Sequence, residues 1–182
     1  MCYNLPMSTR NSSKTTEKEL YEPIRGYLVS VFNQKLGNCY LEVTAEGVFS
    51  STLKSVVRHD IIFYFLGKKA SPDLTGFIHR KQSEWDASYV PSVVQDFITV
   101  EIKRGKITLQ DVYQAKMYGD LFQAKYALLI SPERIPEEIK RLDLHLFVTY
   151  RYMSGWYLHI GMWISLASAI EQNWLPHSPF PD

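Results

Sequence analysis

The stretch FITVEIKRG, residues 97–105, decides how the chain is read. Phe97, Ile98, Val100 and Ile102 give it the apolar density of a buried strand, and Gly105 ends the run. Side chains alternate along a strand, so Val100 and Ile102 share one face while Glu101 and Lys103 emerge together on the other. Two opposite charges two residues apart have an ordinary explanation, an edge strand with one solvated face. They also have a chemical one, in which the strand spends two outward positions on a site while its alternate residues fill the core. The flanking sequence weighs one against the other.

Downstream, TLQDVYQAKMYGDLFQA (108–124) sets Leu109, Val112, Tyr113, Met117, Leu121 and Phe122 at helical spacing, with Thr108 as its cap. KYALLISP (125–132) is a nearly continuous apolar run stopped by Pro132, the pattern of a strand buried on both faces. Strand, helix, strand in that order implies a right-handed crossover and parallel pairing. IPEEIKRLDL then reads as a helix, and LHLFVTYRYMSGWYLHIGMWI as a hairpin turning near Ser154-Gly155.

Upstream, residues 80–96 are mixed and polar and read as an inserted loop, and SPDLTGFIH (71–79) as a turn entering a strand. Two further strands are expected at 39–46 and 56–67. Leu20, Ile24, Tyr27, Leu28, Val31 and Phe32 mark an amphipathic first helix that begins with Thr as a cap and ends at Gly37. Pro23 falls inside it, so the helix either starts near Glu22 or is kinked in its first turn. Residues 1–15 form a polar, disordered lead-in, 16–175 one domain, and 176–182 an irregular tail.

A chain of 182 residues, 46% hydrophobic and 21% charged, has the composition of an ordinary soluble globular domain. Twenty Lys and Arg against 19 Asp and Glu leave a net charge of +1, which excludes a global basic field, so any nucleic-acid surface must be local. Cys2 and Cys39 form neither a disulfide framework nor a metal knuckle and fit a reducing, cytoplasmic setting. No signal peptide or membrane-spanning run is evident. The five histidines, His59, His79, His145, His159 and His177, show no metal-ligand spacing and read as structural or surface residues. The abundant aromatics fit an interface with a second copy or a protein partner.

With an acidic residue on each of two neighbouring strands, the chain resembles the PD-(D/E)XK nuclease superfamily. Pro72-Asp73 matches the PD element and Glu101-Ile102-Lys103 the EXK element. Gln114-Ala-Lys-Met-Tyr118 resembles the QxxxY motif of the RecB and lambda-exonuclease branch, and Glu17 the first-helix glutamate of the archaeal Holliday-junction resolvase branch. The resemblance spans about residues 16–132. It implies an α/β fold of restriction-endonuclease type: a central mixed sheet flanked by helices, with an αβββαβ core, here followed by a C-terminal β-hairpin.

It also implies Mg²⁺, with Mn²⁺ as a substitute, held by Asp73, Glu101 and the carbonyl of Ile102. Lys103 then positions the attacking water, Gln114 and Tyr118 lie over the site, Glu17 joins it, and the substrate is DNA. A hard cation takes oxygen ligands and keeps several waters, so two carboxylates suffice. Asp60 is the alternative to Asp73, being a charge in an apolar run, and Glu22 the alternative to Glu17. Lys103, Arg104, Lys106 and Lys116, with Arg80 and Lys81, form a candidate phosphate track. The competing function is a catalytically idle module of the same fold that binds DNA or a protein.

Overall fold

The computed structural model describes residues 16–57, 60, 62–63, 66, 70–80 and 94–181. The elements run α1 (Lys18–Lys35), β1 (Gly37–Val43), α2 (Ser51–Val56), β2 (Leu74–Arg80), β3 (Val94–Ile102), α3 (Leu109–Leu121), β4 (Tyr126–Ser131), α4 (Glu137–Leu146), β5 (Tyr150–Arg151), β6 (Trp156–Ile164) and β7 (Ala169–Ile170). They build an open, mixed, seven-stranded sheet in the order β1-β2-β3-β4-β6-β5, with β7 paired to β6. The β1–β2 and β2–β3 pairs are antiparallel, while β3–β4 and β4–β6 are parallel. The expected parallel pairing around α3 is therefore present, and α/β describes the class.

β3 lies inside the sheet, between β2 and β4, so it is not an edge strand. Ile98, Val100 and Ile102 are fully buried against the α1 side, with Ile24, Leu28 and Phe32 of that helix. On the other side, Val112 and Ala115 of α3 and Ile139 of α4 pack over Ala127, Leu129, Leu158 and Ile160. A third cluster gathers Leu53 of α2, Phe77, Tyr118 and Phe122. β4 is buried along its whole length, which is why its sequence shows no alternation.

Several boundaries differ from the sequence reading. Helix α1 starts at Lys18, with Glu17 in the N-cap position and no side-chain cap, and Pro23 sits inside it. A start near Glu22 is thus excluded; proline forfeits its own N–H bond here, and five buried side chains, Leu20 and Tyr21 before it and Ile24, Leu28 and Phe32 after it, anchor the helix on both sides. The strand expected at 56–67 is absent among the described residues. Val56 ends α2, whose N-cap Ser50 accepts the Leu53 N–H, and Ile62 and Phe63 are helical. β3 begins at Val94, so the loop expected at 80–96 contains the end of β2 and the start of β3, and residues 81–93 lie outside the described residues. The lead-in 1–15 does too.

The C-terminal hairpin turns where expected, Gly155 taking a left-handed φ of 74° between β5 and β6. The tail has little regular structure, yet it is tied down: Leu175 exchanges both backbone hydrogen bonds with Ile160, and the Phe180 ring packs on Phe32 at 5.1 Å. No described helix is long and apolar enough to cross a membrane.

Candidate active site

One end of the sheet collects side chains from four elements. The β2–β3 register pairs Leu74 with Val100, which sets Asp73 opposite Glu101 one step further along. The Pro72-Asp73 turn is held by Thr44: its N–H donates to the Asp73 carbonyl at 2.8 Å and its hydroxyl to the Pro72 carbonyl at 2.7 Å. Asp73 Oδ2 accepts the Ile102 N–H at 2.6 Å, so the carboxylate lies against the backbone next to Glu101. Asp73 Oδ1 accepts the Tyr21 hydroxyl at 2.9 Å, and the same hydroxyl lies 3.4 Å from Glu17 Oε1. Having one proton, Tyr21 donates to one carboxylate at a time.

Glu101 is 4% exposed and Asp73 7%. Lys103 donates to Glu101 Oε1 at 2.7 Å, and its amine is 3.6 Å from Asp111 Oδ1. Glu101 Oε2 is buried with no hydrogen-bond partner. Such an atom forfeits hydration without compensation, a cost of about 1–3 kcal/mol or more for a charged group. Burial pushes the Glu101 carboxyl up to about 8, with the Asp73 charge adding to it and Lys103 opposing. Burial also lifts Asp73 to about 6, against the Ile102 and Tyr21 hydrogen bonds, with Glu17 adding to the rise. For the Lys103 amine, burial pulls downward, but the Glu101 bond and the charges of Glu101, Asp111 and Glu17 leave it net raised.

Helix α3 covers the site. Thr108 caps it as expected, in a capping box: its side chain accepts the Asp111 N–H, and the Asp111 carboxylate accepts the Thr108 N–H. One turn on, Gln114 Nε2 donates to the Tyr118 hydroxyl at 3.1 Å. Tyr118 is 2% exposed and packs in the Phe77 and Phe122 cluster, yet the Glu101 and Asp73 charges add to the burial that raises its hydroxyl. It is core and site neighbour at once.

Asp73, Glu101, Lys103 and Glu17 are thus brought together, with Gln114 and Tyr118 on the adjoining helix. Asp60 is exposed in a turn, and Glu22 pairs with Arg25 at 2.7 Å on the outside of α1. Tyr21 and Asp111 are the partners the sequence reading missed. Both were signalled: Tyr21 is one helical turn after Glu17, and Thr108-Leu-Gln-Asp111 is a capping-box pattern.

Two lysines of the candidate phosphate track are engaged within the chain. Lys106 pairs with Glu138 at 2.6 Å, and Lys116 donates to the Val148 carbonyl at 2.8 Å. Arg104 is exposed, whereas the Arg80 side chain and Lys81 lie outside the described residues. Elsewhere, Cys39 is a half-buried thiol that burial pushes up to about 12, too weakly ionised to be reactive. His159 is buried on β6 opposite Leu128 of β4, where its Nδ1 meets the His177 carbonyl at 2.9 Å; desolvation drops it to about 4 and keeps it neutral. Among the described residues no group of three or more His, Cys, Asp or Glu stands together so as to hold a metal ion. No protein-family model, curated protein or solved structure matches the chain.

Proposed function

We propose that this chain is a metal-dependent deoxyribonuclease of the PD-(D/E)XK type, hydrolysing DNA phosphodiester bonds in the cytoplasm. The observation that carries the reading is Glu101 Oε2, a buried carboxylate oxygen without a partner, beside a second buried carboxylate and a lysine amine. A cation is the group that such an oxygen lacks. Mg²⁺ fits the donor set, because it needs only one or two carboxylates and completes its shell with water and substrate phosphate. Asp73 and Glu101, with the Ile102 carbonyl, would hold it, and Mn²⁺ can replace it. When bound, such an ion supplies a water of lowered pKa and neutralises charge on the attacked phosphate.

The chain's own residues do the rest. Tyr21 and the Ile102 amide fix the Asp73 carboxylate in place. Lys103, held between Glu101 and Asp111, offers ammonium protons to the attacking water and to the charge that develops on phosphate. Gln114 and Tyr118 border the approach along α3. A second reading, a catalytically idle module binding DNA or a protein, draws support from the engagement of Lys106 by Glu138 and of Lys116 by the Val148 carbonyl, and from the lack, among the described residues, of a group of three metal-ligating side chains.

Cleavage of labelled duplex, branched and single-stranded DNA, with Mg²⁺, Mn²⁺ or a chelator, separates the two. The nuclease reading expects cutting that needs the cation. Lys103→Ala should lose it by about 10³-fold or more while still binding DNA, since the amine is one of several phosphate contacts. A fully active Lys103→Ala refutes the mechanism, and a wild type silent on every substrate favours the idle module.

A further inference from the structure

We propose that Asp111 is a second seat for the Lys103 amine, taking it over when Glu101 turns its oxygens to a cation. The inference rests on the metal-dependent reading above, and it gives a role to a residue outside the PD, EXK and QxxxY elements. It starts from the backbone. β3 ends at Ile102, and the Lys103 N–H donates to the Ile130 carbonyl of β4 at 2.8 Å, so the main chain is fixed there and the amine moves only by side-chain rotation. An ammonium has three N–H donors and no acceptor. One of them goes to Glu101 Oε1 at 2.7 Å.

Asp111 is fastened by the start of the helix. It is the third residue of α3, and the capping box engages one of its oxygens: Oδ2 accepts the Thr108 N–H at 2.8 Å and the Thr108 hydroxyl at 2.7 Å. That leaves Oδ1 facing the amine, at 3.6 Å. The gap exceeds the ~2.7–3.2 Å of an N–H···O bond. The amine is thus bonded to one carboxylate and a short swing from another. Both side chains are largely out of water, Lys103 at 22% and Asp111 at 18% exposure, so their attraction is screened less than that of a surface pair. The cap asks only for an acceptor at this position; the oxygen it leaves over is the one that meets Lys103.

Glu101 supplies the reason for a second seat. Its two oxygens hold Lys103 and nothing else. An ammonium and a divalent cation sharing one carboxylate repel each other at close range, so Lys103 competes with the cation for Glu101. Asp111 lowers the cost of that exchange, because an amine leaving Glu101 finds a carboxylate without crossing into solvent. It also keeps the amine in the site, where the attacking water needs it. Without Asp111 the amine has Glu101 alone and holds it more tightly against the cation. Asp111 is therefore a positioning residue that acts through Lys103, and its own charge is not what attracts the ion.

The test is a titration of the full chain with Mn²⁺, without DNA, in which electron paramagnetic resonance reads the free ion. Wild type, Asp111→Asn, Lys103→Met and the double variant form a cycle. Asp111→Asn should weaken Mn²⁺ binding by about fivefold, the size of one half-buried ion pair, and Lys103→Met should bind more tightly than the wild type. Added to Lys103→Met, Asp111→Asn should change the affinity by less than about twofold, since the group it acts through is gone. Asparagine keeps an oxygen for the Thr108 N–H, so melts without Mn²⁺ should show a folded variant; Asp111→Gln, an amide that also closes a capping box, should give the same cycle. An Asp111→Asn variant that binds Mn²⁺ as tightly as the wild type overturns the proposal. A loss of equal size with and without Lys103 overturns it as well, because Asp111 would then attract the ion by charge alone. A wild type that binds no Mn²⁺ refutes the metal-dependent reading itself, and the inference falls with it.

Discussion

Two carboxylates are buried in this chain to nearly the same depth, Asp143 at 8% exposure and Glu101 at 4%, and they are treated in opposite ways. Asp143 Oδ1 accepts both the N–H and the hydroxyl of Thr149, at 2.9 and 2.6 Å, and so braces the turn that leaves α4 for β5. Its donors are neutral and six residues away. Glu101 has one oxygen on Lys103, the other on nothing, and Asp73 close enough to raise its pKa. A buried anion satisfied by local neutral donors is a structural device. One left short of partners and set beside another anion ionises only at a cost, which a cation relieves. The depth of burial says nothing about which is which; the partners decide.

Replacing Glu101 by Gln sharpens the contrast most, because activity and stability should move in opposite directions. Cleavage should fall by about 10³-fold or more, roughly 4 kcal/mol of barrier. Stability should rise at neutral pH, since an amide does not have to be kept protonated in the fold against ionisation in the unfolded chain. The pH dependence follows from the raised carboxyl. In the unfolded chain Glu101 ionises near its ordinary 4.5, in the fold near 8, so between these values the fold holds the extra proton. Its contribution to stability is fully present below about 4.5 and is lost as pH rises towards 8. Asp73, lifted to about 6, adds a decline beginning near 3.8. Thermal melts of metal-free wild type should therefore fall between pH 5 and 8 by on the order of 2 kcal/mol. Glu101→Gln should flatten the slope and Mg²⁺ should reverse it. An unchanged slope in the variant would show that Glu101 ionises normally.

Asp143→Ala tests the other half of the comparison. It strands two buried donors on Thr149, which is itself fully buried, at about 1–3 kcal/mol each. Denaturant melts at neutral pH should show a loss of about 3 kcal/mol, with the cleavage rate per folded molecule unchanged. A variant as stable as the wild type would mean that the turn is held by other contacts.

The two regions were unequally legible in the sequence. Alternation along FITVEIKRG put Glu101 and Lys103 on one face, and the apolar run at 125–132 identified a strand buried on both sides; each is a local pattern with a local cause. Thr108 as a cap and the turn at Gly155 are of the same kind. The failures have physical reasons too. Residues 56–67 are apolar in a run too short for its periodicity to separate strand from helix, so the Ser50 cap and the helical Ile62 and Phe63 were not anticipated. Helix α3 is apolar on two sides, so periodicity proved the helix without saying which row faces the sheet; Leu109, Tyr113, Met117 and Leu121 turned out exposed. Tyr21 and Asp111 matter through contacts made across the fold, and only the pairing of β2 with β3 and the packing of α1 and α3 reveal what they touch.

Tyr21→Phe carries the smallest expected effect and asks how the site's anions are kept apart. The hydroxyl sits between Asp73 and Glu17 and gives its proton to Asp73 at 2.9 Å, which holds the carboxylate in its charged form against burial. Removing the hydroxyl leaves Asp73 Oδ1 without that donor, while the ring keeps its packing against the α1 side of the core. The Asp73 carboxyl should then move above its present value of about 6, because a bond that favours the charged form has been lost. If Asp73 must be ionised to act, the acid limb of the pH–rate profile shifts to higher pH. The loss is about fivefold near pH 6, worth roughly 1 kcal/mol, and vanishes by pH 8. A purely structural role predicts a different result, a loss of equal size at every pH that tracks the melting temperature. Profiles of the variant and the wild type measured from pH 5 to 9 distinguish the two, and a limb that stays in place would remove Tyr21 from the site.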